Sequence, residues 1–496
     1  MTAAIDWVTR AAHLHPETRL FIDGTYTHAV SGATFNDISP RDGTHLAQVA
    51  AGDSPDVDRA VSAARRAFDD GRWRSLTPRA RKNVLLRLAD LVRQHGEELA
   101  LLETLDVGKP IGESLRVDVA GAADTIAWYA EALDKSYDEV APTGPDALAL
   151  ITREPLGVIA AVVPWNYALL ITSWKIAPAL AMGNSVILKP AEQSPLSALL
   201  LARLASEAGV PDGVFNVITG LGEDAGAALG RHPGVDKVAF TGSAEVARCF
   251  LHYAADSNGK TVSIEAGGKS PQLVLADVAD IDAAASAIAW GIFYNAGQTC
   301  NGGSRLLVDA TIKDELLEAV LTVARTFHAG DPLDPTTTMG AIIDRTQLDR
   351  VLGYIDLGRQ EGATVALGGA QALTASGGFF VEPTVFDAVT NTMRIAQEEI
   401  FGPVLSTITF RGADEGVRLA NDTRFGLAAS VWTRDLTTAH RVSRQLRAGT
   451  VWVNTFDASD VMTPFGGFKD TGAGRDKSLH ALHAYSALKT TWINLT

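Results

Sequence analysis

Between residues 157 and 266, short β-branched runs alternate with helical stretches, and this alternation constrains the fold more than any other feature. "VIAAVV" (158–163), "VIL" (186–188), "VFNVI" (214–218), "VAF" (238–240) and "VSI" (262–264) read as strands. Between them, "LLITSWKIAPALAM" (169–182), "LSALLLARLASEAG" behind Ser194-Pro195, "EDAGAALG" and "AEVARCFLHYAA" read as helices, the first tolerating Pro178. Such a β-α-β-α series with short links predicts a parallel sheet wound with helices, the usual dinucleotide-binding architecture. Ligands of such sheets sit at the carboxyl ends of the strands.

The flanking sequence adds further units. Ser54-Pro55 opens a helix with Val57, Val61, Ala64 and Phe68 at helical spacing. Thr77-Pro78 opens a second, running towards Gly96, and a third spans about Glu113 to Leu133. A second alternation begins at "PQLVLAD" (271–277) and runs past Cys300 to about residue 470. Two strand-like pieces, residues 136–155 and 485–496, belong to no sheet in their own neighbourhoods. They pair with another subunit or close a ribbon within one chain. At 496 residues the chain is too long for one core, and two or three domains are expected.

A formal charge of −15 makes phosphate-backbone and anionic-membrane partners poor candidates. No apolar run has membrane-spanning length. The N-terminal stretch lacks a basic segment followed by an apolar one, and Asp6 and Glu17 argue against a transit helix. Two cysteines build no disulfide framework, so a reducing compartment is expected. The expectation is a soluble cytoplasmic protein with a small-molecule partner and no metal.

Those two cysteines differ in setting. Cys249 lies in a helical pattern beside Phe250 and Leu251 and reads as packing. Cys300, in "NAGQTCNG", sits in a small, polar, glycine-flanked segment, the setting of a side chain meant to be reached. A cysteine nucleophile works as thiolate and needs activation. None of the eleven histidines falls in a segment resembling a thiol-protease signature.

Other candidates stand at strand ends. Glu265, in "VSIEAGGKSP", would be delivered to the carboxyl edge of the sheet, although a salt bridge or helix cap suits it equally. Asn166, in "VVPWNYALL", can donate to a developing oxyanion or simply serve a turn. Lys189 and Glu192, in "ILKPAEQSP", can hold ribose hydroxyls. Gly242-Ser243 opens a helix that can face a pyrophosphate, but neither nearby glycine pattern is a full dinucleotide fingerprint.

Together "PWN", "GNSVILKPAEQSP", "FTGS", "EAGGKSP", "GQTC", "EEIFGPV" and "PFGGFKDTGAGRD" resemble the aldehyde dehydrogenase superfamily in order and spacing, over nearly the whole chain. "LETLDVGKPI", "DSNGK", "LDPTTTMG" and "GRDKSLHAL" most resemble the γ-glutamyl-γ-aminobutyraldehyde dehydrogenases within it. The resemblance implies that Cys300 attacks the aldehyde carbon. Asn166 and the Cys300 N–H would form the oxyanion hole, and Glu265 would activate water to release a free acid. Lys175 and Asp476 match a proton-relay pair, in which many relatives carry glutamate for Asp476. NAD, with NADP as an alternative, would be held by Trp165, Lys189, Glu192, Gly222, Gly242, Ser243, Gln347, Glu399 and Phe401. Glu192 would repel a 2′-phosphate, favouring NAD. Tyr167, Leu170, Trp174, Tyr294, Asn301, Phe456 and Asp457 would line the aldehyde channel.

The resemblance also implies an α/β fold in three parts. Residues 1–131 and 152–266 would form a Rossmann-like cofactor domain, 267–478 a catalytic domain, and 132–151 with 479–496 a β ribbon for a homodimer or homotetramer. Ala168, Ala247 and Ala266 depart from the proline, glycine and leucine common in relatives. Asp457 and Asp460, in the loop "NTFDASDVMTP" (454–464), suggest an acidic mouth suited to an amino- or amido-aldehyde of polyamine-type catabolism. A broad enzyme for hydrophobic aliphatic or arylacetic aldehydes is the alternative. A binding protein on the same fold and a cofactor-free thiol hydrolase are the other classes considered.

Overall fold

The computed structural model describes residues 5–496, so the first four residues of the N-terminal segment and of the expected cofactor domain lie outside the described residues. Five parallel strands form the middle of an eight-stranded sheet, in the spatial order Phe215–Val217, Ser185–Lys189, Val158–Val162, Lys237–Gly242, Thr261–Ala266. Numbered along the chain, that order is 3-2-1-4-5. The winding reverses between Val158–Val162 and Lys237–Gly242, which opens a crevice at their carboxyl ends. A hairpin, Leu20–Ile22 with Thr25–Thr27, closes one edge. At the other edge Gly472–Ala473 pairs antiparallel with Thr261–Ala266.

The apolar strand runs follow from burial on both faces. Val158, Ala160 and Val162 face a core shared with the helices Ser54–Asp69 and Ala244–Ala255. Ile159, Ala161 and Val163 face the opposite core, built with Pro78–Gln94, Gly96–Val107, Ala120–Ala132, Ala168–Ala181 and Leu196–Ala208. Alternate residues therefore serve opposite layers, and no polar position is left in the run.

A seven-stranded sheet follows in the order Thr364–Leu367, Thr384–Asp387, Val404–Phe410, Arg305–Asp309, Pro271–Val274, Ala428–Trp432, Thr450–Val453. All its pairs are parallel except the first. It has its own core, including Leu273, Leu306, Phe386 and Val431. Among the described residues no helix is long and apolar enough to cross a membrane.

Several local expectations are corrected. The helix expected to be capped by Ser54 is capped by Asp53, through a capping box with Asp56. The second helix does run towards Gly96, ending at Gln94, but a further helix that was not expected follows at once, Gly96–Val107, buried on nearly every side and so without readable amphipathic spacing. The third helix is broken into Ile111–Glu113, a π-helical turn Ser114–Val119 and Ala120–Ala132. Ser194 does not cap Leu196–Ala208; the Leu196 N–H instead donates to Asp106 Oδ2 at 3.0 Å, from another helix. Cys249 is exposed rather than packed, because its helix buries Ala244, Ala247, Phe250 and Ala254 on the other face. The two orphan strands meet within one chain: Ser486–Asn494 pairs antiparallel along Ala147–Pro155, with Glu139–Ala141 on the far side.

Trp73, in the link after the helix Ser54–Asp69, ties that link to the helix Ala168–Ala181 on the first sheet. Its ring is fully buried and its indole N–H donates to Leu180 O at 2.9 Å. Trp73→Ala should lower unfolding free energy by about 3–5 kcal/mol, as large-to-small core substitutions do, read as a shift of the first denaturant transition. A loss below about 1 kcal/mol would show that the layer can collapse around the gap.

Candidate active site

The crevice at the winding reversal opens into a cavity of about 880 Å³. Its wall includes Trp165 and Asn166, which follow the strand Val158–Val162, and Gly242-Ser243, which ends the strand Lys237–Gly242. Glu265 arrives on the next strand, at its carboxyl end. From the second unit come Cys300, Glu399 and Phe401.

The thiol is presented by strained backbone. Asn295, Ala296 and Gly297 lie in the left-handed region, with φ of 48°, 52° and 70°. Only glycine fits at 297, where a Cβ would stand 2.1 Å from Gly402 O. Gln298 holds the segment in place: its side chain donates to Ala341 O at 3.0 Å and accepts from Ile343 N–H at 2.9 Å. Its carbonyl accepts from the Asn166 amide at 2.9 Å and from the Asn295 amide at 3.1 Å. One Asn166 amide hydrogen is thereby fixed beside the thiol loop, which leaves its second hydrogen to donate.

Cys300 is half-buried, and its thiol is pushed well above the ordinary cysteine range by burial and by the carboxylates of Glu399, Asp457 and Glu265. Glu265 is buried and neither of its oxygens has a hydrogen-bond partner in the protein. Burial pushes its carboxyl well up, and Asp476 adds repulsion that Lys175 and Arg475 oppose. Asp476 accepts from the Lys175 ammonium at 2.6 Å, and Lys175 itself is completely buried. The Glu265 carboxyl is thus free to take up a proton rather than tied into a salt bridge.

The cofactor-type residues divide into two groups. Glu399 lies against the chain turn at Gly267-Gly268: it accepts from Gly268 N–H at 3.1 Å, and a Cβ at 267 would stand 2.0 Å from its carboxylate oxygens. Burial raises its carboxyl to about 7. Gln347 donates to Ile400 O and Phe401 O, both at 2.9 Å, and so fixes the turn in which Phe401 has φ of 60°. The Phe401 ring meets Trp165 edge-on at 5.2 Å. Ser243 caps the helix Ala244–Ala255, whose free N–H groups face the crevice. Lys189 and Glu192 form a 3.0 Å pair one strand further out, beyond the cavity wall. Gly222 starts the turn Gly222–Gly226, with open space where a Cβ would point. Open backbone at a helix start, a paired cation and carboxylate beyond it, and a buried carboxylate at the inner end fit an extended dinucleotide.

On the aldehyde side, the Tyr167 hydroxyl lies 2.8 Å from Thr299 Oγ1, and the Lys109 ammonium stands 3.9 Å from the Tyr167 ring centre. Leu170, Trp174 and Tyr294 line the cavity. Asn301 donates to Asp457 Oδ1 at 2.6 Å, and burial raises the Asp457 carboxyl to about 6. Phe456 is not brought there. It packs on Trp452 at 4.8 Å and over Gly291, filling space behind the wall.

Other lining residues escaped the sequence reading. Val117, Gly121 and Asp124 present one face of the broken helix, a spacing legible only once that helix is placed. Trp290 stacks on Tyr294 at 4.5 Å, one helical turn before it. Phe465 and Ser459 come from loops.

The comparisons with known proteins agree with this geometry. The model of the aldehyde dehydrogenase family matches residues 26–491. The NADP/NAD-dependent aldehyde dehydrogenase PuuC of Escherichia coli (strain K12) is 53% identical over 489 residues, covering 99% of this chain and 98% of that protein. A crystal structure of γ-glutamyl-γ-aminobutyraldehyde dehydrogenase from Burkholderia cenocepacia J2315 superposes with a TM-score of 0.97 at 56% identity, covering 99% of each chain. An indole-3-acetaldehyde dehydrogenase in complex with NAD+ superposes with a TM-score of 0.98 at 55% identity, again covering 99% of each chain. The chain belongs to the aldehyde dehydrogenase family. It is an oxidoreductase acting on the aldehyde group, with NAD(P) as acceptor.

The electrostatics of the thiol generate a direct prediction. In a Cys249→Ser background, iodoacetamide should alkylate Cys300 slowly at pH 7, with a rate still rising above pH 9, because the free thiol is held up. Glu399→Gln removes a negative charge and should speed alkylation at pH 8 by about ten-fold, one unit of thiol pKa. A rate that is already at its plateau by pH 7 would contradict the carboxylate ring.

Proposed function

We propose that the chain oxidises an aldehyde with a distal amino or amido group to the free acid, as in polyamine-type catabolism. Convergence of Cys300, Asn166 and Glu265 at the winding reversal carries this reading. The Cys300 thiol gives up its proton to solvent by way of Glu265, its sulfur adds to the carbonyl carbon, and the developing oxyanion receives the free Asn166 N–H and the Cys300 backbone N–H. The hydride released when the C–H bond of that carbon breaks and the oxyanion re-forms its carbonyl would pass to bound NAD. The resulting thioester is attacked by a water whose proton passes to Glu265; the carbon–sulfur bond breaks and the acid leaves. Lys175 and Asp476 hold the charge balance behind Glu265 and offer the proton a route inward.

The substrate class is supported by the γ-glutamyl-γ-aminobutyraldehyde dehydrogenase of known structure, which resembles this chain as closely as the indole-3-acetaldehyde enzyme does. The last favours an arylacetic aldehyde as the second reading, which the aromatic pair Trp290 and Tyr294 would also suit. We also propose residues 1–131 and 152–266 as the cofactor domain and 267–478 as the catalytic domain. Residues 132–151 and 479–496 would be a ribbon that joins copies into a homodimer or homotetramer. The exposed edge strand Ser486–Asn494, with Leu488 and Trp492 outward, supports the ribbon's role. A cytoplasmic location fits the two unpaired cysteines.

Cys300→Ala should reduce NADH production to below about a thousandth of wild type while NAD affinity, measured by calorimetry, changes by no more than a few-fold. Residual turnover above that level would remove Cys300 from the mechanism. For the cofactor, Glu192 should make kcat/KM higher with NAD than with NADP, and Glu192→Gln should narrow the ratio by about ten-fold. A wild-type preference for NADP would mean that the carboxylate turns away from the ribose.

A further inference from the structure

The wall beside the aldehyde path contains Trp174 and Phe465, whose rings meet at 5.2 Å. A cation that the mechanism leaves unused stands against it. Lys477 directly follows Asp476, has φ of 62°, and is almost fully buried. Its ammonium lies 5.3 Å from the Trp174 ring centre and 5.8 Å from that of Phe465. It also donates to Ser459 Oγ. Burial pulls its ammonium below the ordinary lysine range, and the carboxylates of Asp457, Asp460 and Asp476 oppose that shift. The next backbone N–H, that of Ser478, donates to Val461 O at 2.7 Å, so the loop of residues 457–461 is held to this lysine at two points.

The other rim carboxylates are also engaged. Asp457 accepts from Asn301 at 2.6 Å. Asp124 accepts from Arg93 at 2.9 Å, and Glu113 pairs with Arg116 at 2.8 Å. Asp460 accepts from the Met462 N–H within its own turn. The two aspartates that made the mouth look acidic in sequence are therefore engaged by neighbours and feel the positive charge of Lys477, although neither forms an ion pair with it.

We propose that Lys477 sets the charge preference of the aldehyde entrance. By lying against the aromatic wall and offsetting the charge of Asp457, it disfavours a substrate ammonium and favours an uncharged amide there. The inference rests on the proposed oxidation of amino- or amido-aldehydes and narrows it to the amido class. A ring face already polarised by one cation offers little to a second, and two ammonium groups within a few ångströms repel.

The test compares kcat/KM for an ω-amino aldehyde and its N-acyl derivative in wild type, Lys477→Met, Lys477→Arg and Asp457→Asn. Wild type should prefer the N-acyl aldehyde. Lys477→Met should shift the ratio towards the amine by about ten-fold, the range of a cation–π contact plus a weak ion pair, and Lys477→Arg should keep the wild-type ratio. Asp457→Asn, which leaves the lysine less compensated, should shift it further from the amine and serves if Lys477→Met does not fold. A ratio within two-fold of wild type in a folded Lys477→Met, or no shift in Asp457→Asn, overturns the role of Lys477. Wild-type preference for the amine overturns it too, while leaving the amino-aldehyde reading standing. A wild type that oxidises a plain aliphatic aldehyde but neither member of the pair instead overturns the substrate reading beneath it.

Discussion

The hydrogen-bonded clamp of Asn166, Asn295 and Gln298 is the constraint on which the site depends. Left-handed backbone at Asn295 and Ala296 costs about 1–3 kcal/mol for each residue and persists only where surroundings over-determine it. Here the surroundings come from both sheets. Asn166 belongs to the loop after the first sheet's central strand, whereas Ala341 and Ile343, which bind the Gln298 side chain, belong to the second unit. The close approach of Gly297 to Gly402 adds the turn that carries Phe401. One buried set of amides thus fixes thiol, oxyanion donor and cofactor-side turn relative to one another. Satisfied buried networks of this kind rigidify, because any slip leaves polar groups unpaired.

The charges around the thiol pull in opposite directions. Burial raises the carboxyls of Glu265 and Glu399, which makes Glu265 readier to take up a proton, and the same carboxylates oppose ionisation of Cys300. The cavity therefore favours a protonated thiol until its negative field is offset. Positive charge is kept at a distance: Lys175 is spent on Asp476, Lys477 on the entrance loop, and Lys109 on Asp118 and the Tyr167 ring. Each of these three lysines is engaged by a neighbour, and no basic side chain is among the groups that shift the thiol.

The sheet around residues 158–266 was legible because its strands are buried on both faces and read as unbroken apolar runs. Cys300 and Glu265 were legible because their residue types contradict their settings. What escaped depends on contacts distant in sequence. Asp106 caps a helix that starts ninety residues later, so no local pattern at Ser194 reveals it. Phe456 sits in a loop whose neighbours line the cavity, but the side chain turns into the gap over Gly291. Cys249 lies in a helical pattern whose apolar face is set by Phe250 and Ala254, one and five residues on. The two aspartates of the mouth were visible, and the cation that offsets them was not, because Lys477 adjoins them only after the chain returns to the first sheet.

That return joins the two ends of the cavity. Gly472–Ala473 adds an antiparallel strand beside Glu265, at a position where a Cβ on Gly472 would meet Ile264 O at 2.2 Å. Four residues on, Asp476 and Phe465 exchange both backbone hydrogen bonds, each at 2.8 Å. These two pairings pin the register of the segment between them. Just beyond the second pairing the backbone leaves the extended region, with φ of 62° at Lys477 and 54° at Ser478. The turn separates two neighbouring side chains of opposite charge: Asp476 reaches inward to Lys175, while Lys477 reaches Trp174 and the entrance loop. The residue behind the base and the cation at the entrance are therefore consecutive in sequence and held by one pinned segment, so a displacement of that segment would disturb both.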